Sequence, residues 1–226
     1  ANTTGALNTA VGQGSLAANT TASNNTAVGV YALEANTTGA NNTAVGQAAL
    51  TDNTTGANNT AVGYLASRVI TTGSNNVSVG AGGNLGANTT GANNVAVGYA
   101  SLGGNTTASN NVAVGFDSLA ANTTGGDNTA SGYDSLGDNT TGSFNSGFGY
   151  EALARNTTAN NNTAVGYRSL KTNTTGGSNV AVGTNALTAN TTGSNNIGIG
   201  LNALASQTTG DNNTVVGFTA GHDMSS

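Results

Sequence analysis

Two sets of side chains with chemical potential recur at one fixed spacing. Aromatic residues stand at Tyr99, Phe116, Tyr133, Tyr150 and Tyr167, with Tyr64 and Phe218 further out, and charged residues stand one position later at Asp117, Asp134, Glu151 and Arg168. Successive members of each set are 17 residues apart. If the chain coils with that period, neighbouring rings are brought to about the 4.8 Å interstrand distance, where they can stack. The ring column has two readings: a structural ladder, or a platform of flat faces that binds carbohydrate. Stacked carboxylates repel, and either a bound cation or the guanidinium of Arg168 beside Glu151 relieves that repulsion. The glycine-rich calcium repeat G-G-x-G-x-D is not written in the chain.

Other chemistries find little material. There is no Cys, and His222 is the only His, in the divergent tail Gly221–Ser226. Disulfides, thiolate metal sites and a Ser-His-Asp or Cys-His arrangement within the regular array are excluded. No phosphate-binding G-x-x-x-x-G-K-[ST] loop is present. No enzyme activity, cofactor or metal is expected. Four Lys+Arg against nine Asp+Glu cannot neutralise a phosphate backbone, so no nucleic-acid partner is expected. No apolar run approaches the roughly 20 residues of a membrane-spanning helix, so no membrane insertion is expected in this segment. Thr pairs such as Thr20–Thr21, Thr37–Thr38, Thr123–Thr124 and Thr191–Thr192 invite an ice-binding reading. Adjacent Thr residues point to opposite sides of a strand, however, and flanking Asn and Gly mark a turn. Asn36-Thr37-Thr38 and its copies also match the N-glycosylation sequon.

The elements that position these residues follow from the repeat. Of 226 residues, 37 are Asn, 38 Thr and 35 Gly, and Pro and Trp are absent. Thirteen glycines close a segment like Asn-Thr-Ala-Val-Gly: Gly12, Gly29, Gly46, Gly63, Gly80, Gly98, Gly115, Gly132, Gly149, Gly166, Gly183, Gly200 and Gly217. Eleven of the twelve spacings are 17 residues, and Gly80 to Gly98 is 18. Asn, Thr and Gly are poor helix formers, and 17 residues is too short for a helical hairpin. Asn25-Thr26-Ala27-Val28-Gly29 alternates with period two and reads as a short strand, Asn36–Gly39 reads as a turn, and a second extended piece is expected around Ala32–Leu33. The fold class is therefore all-β: a parallel β-solenoid of about 13 coils in one repetitive domain over 1–226, a fragment of a longer fibre whose end diverges over 218–226.

Assigning the faces, the Val28 and Leu33 columns are expected inside. The small Ala27 column is expected outside as an oligomer interface, carried by Ala27, Ala44, Ala61, Ala96, Ala113, Ala164 and Ala181. One Val and one Leu per coil make a thin core, so burial of that face in a homotrimer is expected. Irregular places are Ser67, which replaces Leu; the extra residue within Ala81–Asn84; Ser131, which replaces Val; and Gly221, which replaces Leu.

The Asn-Thr/Val-Ala-Val-Gly segment, repeated in register over essentially the whole chain, resembles the head repeats of YadA-type trimeric autotransporter adhesins, and similar runs in bacteriophage tail fibres. The adhesin unit is usually shorter. The resemblance implies a left-handed parallel β-roll, three chains wide, in a cell-surface or virion fibre. The expected function is a structural fibre shaft or head that mediates or displays attachment, located extracellularly, at a cell surface or on a virion. Its expected partners are copies of itself and a host-surface glycan or receptor. The alternatives are a carbohydrate-binding surface protein using the aromatic column, and an ice-binding solenoid.

Overall fold

A computed structural model describes residues 2–222 and Met224; the remainder of the divergent end, Asp223, Ser225 and Ser226, lies outside the described residues. The protein is an all-β parallel solenoid of about 12 turns with a 17-residue repeat, and no helix occurs among the described residues. Two compact units divide it, Ala1–Asn111 and Val112–Ser226. The first carries β1 (Thr9–Val11), β2 (Thr26–Val28), β3 (Thr43–Val45), β4 (Thr60–Val62), β5 (Val77–Val79) and β6 (Val95–Val97). The second carries β7 (Val112–Val114), β8 (Thr129–Ser131), β9 (Ser146–Phe148), β10 (Thr163–Val165), β11 (Val180–Val182), β12 (Ile197–Ile199) and β13 (Thr214–Val216). Within each unit, consecutive strands pair in parallel with each residue opposite its counterpart one repeat away, as in Ala27 opposite Ala44 and Ala164 opposite Ala181.

Each coil has one strand of three residues, not two strands. The expected second extended piece is a run of turns in which Tyr31 (φ 59°) and Leu33 (φ 52°) take left-handed conformations. The run still pairs coil to coil, since Tyr31 N donates to Gln13 O at 2.9 Å and Leu33 N to Ala49 O at 3.0 Å. A left-handed Leu costs roughly 1–2 kcal/mol. Burying the side chain completely returns about 1.5–3 kcal/mol. Glycine is required at the closing position for two reasons. Gly132 has φ +137°, and a Cβ there would sit inside contact distance of the Gly149 carbonyl in the next coil.

The structure corrects the assignment of faces. The Leu33 column is inside as expected, but Ala27 is 0% exposed and Val28 is 36% exposed. Ala27, Ala44, Ala61, Ala96, Ala113, Ala164 and Ala181 all lie within the coil of a single chain, so they cannot form a contact face with another chain. The Val column, and not the Ala column, faces outward. The physical reason is cross-section. A 17-residue coil is narrow, and the Leu side chain already occupies the space opposite the strand. At Gly198 an added Cβ would lie 3.2 Å from Leu187 Cγ, so even a methyl group is tight there and the larger Val side chain has no space. The end of the array obeys the same rule in reverse: Val215 replaces Ala where Gly221 replaces Leu, and a Cβ on Gly221 would lie 3.1 Å from Val215 Cγ2. Because side chains alternate with period two, one inverted position inverts the strand.

Asparagine fills the rest of the interior. In one column the side-chain amide donates to the preceding coil, Asn36 Nδ2 to Asn19 Oδ1 at 3.0 Å and Asn53 to Asn36 at 2.8 Å. The second unit repeats this, with Asn139 donating to Asn122, Asn156 to Asn139 and Asn190 to Asn173, each at 2.8 Å. In a second column the side-chain oxygen accepts from the next coil's backbone, as Asn25 Oδ1 does from Asn42 N at 2.8 Å. The Gly39 carbonyl receives both, from Asn25 Nδ2 at 2.9 Å and Asn36 Nδ2 at 3.0 Å. Ile70 stands where the first column would have another Asn, and Asn53 Oδ1 is left buried without a partner.

The irregular coil builds its own polar centre. Gly82 (φ +75°) and Gly83 (φ +76°) absorb the extra residue. Asn84 then enters the interior, where Ser78 Oγ donates to its Oδ1 and its Nδ2 donates to Ser101 Oγ at 2.7 Å.

Two outcomes test this interior. Ala164→Leu is expected to lower the unfolding free energy by about 1–3 kcal/mol through overpacking, while the outward Val165→Thr stays within about 0.5 kcal/mol; urea denaturation of both variants checks the orientation. Asn139→Ala removes a donor to Asn122 and to the Gly142 carbonyl and is expected to cost about 1–3 kcal/mol in the same assay, because buried hydrogen bonds are lost.

Candidate functional site

The outward columns carry the candidate chemistry. In the second unit the ring column forms a continuous stack. Phe116 and Tyr133 have centroids 5.4 Å apart and planes within 8°; Tyr133 and Tyr150 are at 4.9 Å and 9°; Tyr150 and Tyr167 are at 5.4 Å and 16°. Tyr99 is exposed in the first unit. Stacking follows from register: identical positions on consecutive coils are separated by the interstrand distance, which suits offset ring contact. The same geometry changes what the rings offer. Their faces cover one another, so solvent meets ring edges and hydroxyls. A sugar that packs on an aromatic face finds that face already covered within the stack.

Charges join the stack at its C-terminal end. The Arg168 guanidinium carbon lies 5.0 Å from the Tyr167 centroid. Arg168 Nε also donates to Glu151 Oε2 at 2.7 Å, pairing the residues that the sequence places one coil apart. Lys171 Nζ reaches the same carboxylate oxygen at 2.7 Å, a contact the sequence reading missed. Its signal was available, because Lys171 lies three residues beyond Arg168 and the turns between them fold back. Asp138 and Arg155 pair at 3.1 Å on the open surface, where such pairs contribute little.

Lys171, and after it Arg168, hold the Glu151 carboxyl below its usual range. Glu151 in turn holds Arg168 still more firmly protonated. Asp134 is pushed the other way, first by burial and then by the negative charges of Asp138 and Glu151. Among the described residues, no group of three or more His, Cys, Asp or Glu could hold a metal ion.

The Thr pairs and sequons resolve into structural roles. Thr37 Oγ1 donates to the Thr54 carbonyl and Thr140 Oγ1 to the Thr157 carbonyl, each at 3.0 Å, so one hydroxyl of each pair is committed to the neighbouring coil. Asn36 is buried with both amide hydrogens engaged, so the folded chain does not present this sequon to an enzyme.

No family model matches the chain, and no curated protein and no solved structure matches it. Among the described residues, no helix is long and apolar enough to cross a membrane.

The charged end yields a pH prediction. A carboxyl whose folded pKa is depressed stabilises the fold above its unfolded value, and that stability is lost as pH falls through the folded value. Glu151→Gln is therefore expected to flatten the fall of Tm on acidification below the ordinary glutamate value of 4.5. Asp134, shifted upward, acts in the opposite sense, and Asp134→Asn should steepen the same limb. Thermal melts across this range check both signs.

Proposed function

We propose that the chain is a structural segment of an extracellular or virion-surface fibre, which displays or mediates attachment. The observation that carries this reading is the uniform interior. Within each unit, coil after coil devotes its inward positions to the same Leu, Ala and Asn columns, and the coils pair without change of register. Such an array resists local opening, because many of each coil's polar groups are satisfied by its neighbours. The resemblance to adhesin heads and tail-fibre repeats supports the same placement. Most inward positions repeat, with a few repairs such as Ser67, Ile70 and Asn84, while the outward positions vary more freely, which is the pattern of a scaffold that carries its specificity outside.

Homotrimerisation belongs to this proposal, with a different contact from the Ala column. The outward Val28, Val45, Val62 and Val79 form an uncharged apolar line in the first unit, and Val114 and Val165 continue the type in the second. Copies packed along this line match coil for coil, since every chain has the same period. Association through it buries β-branched side chains that a lone chain leaves in water.

Two measurements test the reading. Antibodies raised against the chain should decorate appendages on intact cells or virions in electron micrographs; labelling confined to the cell interior would overturn it. Light scattering should give the trimer mass for the wild type and the monomer mass for Val45→Lys with Val62→Lys. A wild-type monomer refutes the assembly without touching the location.

A further inference from the structure

Three consecutive coils place a phenol at one outward position. Tyr133, Tyr150 and Tyr167 are 45%, 43% and 42% exposed, and each ring lies nearly parallel to the next. The carbon ortho to each hydroxyl therefore faces a neighbouring ring, and the exposed side chains have room to rotate. We propose that this stack is an oxidative cross-linking site, at which Tyr133 and Tyr150 are joined as dityrosine within one chain.

The step balances with hydrogen peroxide acting through a haem peroxidase. Each phenol gives up one electron and its hydroxyl proton to the oxidant, leaving two tyrosyl radicals. The radicals pair through their ortho carbons to form one carbon–carbon bond. The two ring hydrogens at those carbons move to the oxygens, restoring both phenols. Overall, two tyrosines and one peroxide give one dityrosine and two waters.

The choice of pair rests on three observations. Tyr133 and Tyr150 are the nearer and more parallel of the two tyrosine pairs, at 4.9 Å and 9° against 5.4 Å and 16°. Arg168 sits over Tyr167, and a fixed positive charge opposes removal of an electron from that ring. Phe116, the ring on the other side of Tyr133, has no hydroxyl to lose a proton. The other phenols make internal comparisons. Tyr64 has Gln47 and Ala81 at the same position in the coils on either side, so it lacks a phenol to couple with.

The test is oxidation of the folded, dilute chain by peroxidase and hydrogen peroxide, and separately by a photoexcited ruthenium complex with persulfate, a smaller one-electron oxidant. Dityrosine fluorescence, intact mass and peptide mapping are read together. The expected product is a link within one chain, two hydrogen atoms lighter, mapping to Tyr133–Tyr150, with a yield that does not fall on dilution. Tyr150→Phe should lower the yield at least about tenfold, because it removes the neighbour whose high effective concentration drives coupling. It places at 150 the ring already tolerated at Phe116, and circular dichroism confirms the fold. Tyr64→Phe should leave the yield unchanged. No link with either oxidant, links spread equally to Tyr31 and Tyr64, or full yield in Tyr150→Phe would overturn the site. A dominant Tyr150–Tyr167 link would overturn the choice of pair.

Discussion

A buried amide must find partners, and in this protein it finds one in its own turn and another one coil away. The amide hydrogens of Asn36 go to Asn19 and Gly39, and those of Asn53 to Asn36 and Gly56. Other features follow from that requirement. The repeat length is held because a longer coil displaces every amide from its acceptor. The strand is short because the chain must turn in time to bring the next Asn into place. Apolar burial shares the interior rather than ruling it, since a single Leu column with small Ala partners fills what the amides leave.

The exceptions show how the requirement is handled when it is broken. Where the repeat lengthens by one residue, two left-handed glycines take up the slack, and Asn84 satisfies the serines on both sides. Where Ile70 replaces an Asn, hydrophobic burial compensates and the orphaned Asn53 oxygen remains. Where Gly221 removes a Leu, Val215 fills part of the space. Each of these is a local repair that leaves the neighbouring pairing in register.

Much of the architecture was legible in the residues. The period, the strand at Thr26–Val28 and its copies, the parallel in-register pairing and the buried Leu column all follow from spacing and alternation. The facing of the strand was not legible. Hydrophobicity ranks Val above Ala, and only the width of the coil, which depends on where Leu33 sits, reverses that order. The second strand was misread because Leu with a positive φ is too rare to expect. The Asn columns were visible as regular spacing but read as turn formers, since their burial depends on closure of the coil around them. At the outward site, the ring column and the Glu151–Arg168 pair were legible from their 17-residue interval. Their stacking was legible too, as one of two readings, because rings held at the interstrand distance can stack; the contact of Lys171 with Glu151 was not, because it depends on how the turns fold back.

The first Asn column also has a direction. Each Nδ2 donates toward the N-terminal neighbour, so the acceptor Oδ1 always faces the coil that comes next, as the orphaned oxygens of Asn53 and Asn190 make visible. The C-terminal edge of any partly formed stack is therefore a template with a vacant acceptor, and an arriving coil brings the donor that fills it. A chain that leaves a ribosome or a secretion pore N-terminus first meets this template in the order of its own emergence. The polarity of one hydrogen bond thus gives the two edges of the array different chemistry, open acceptors on one and open donors on the other.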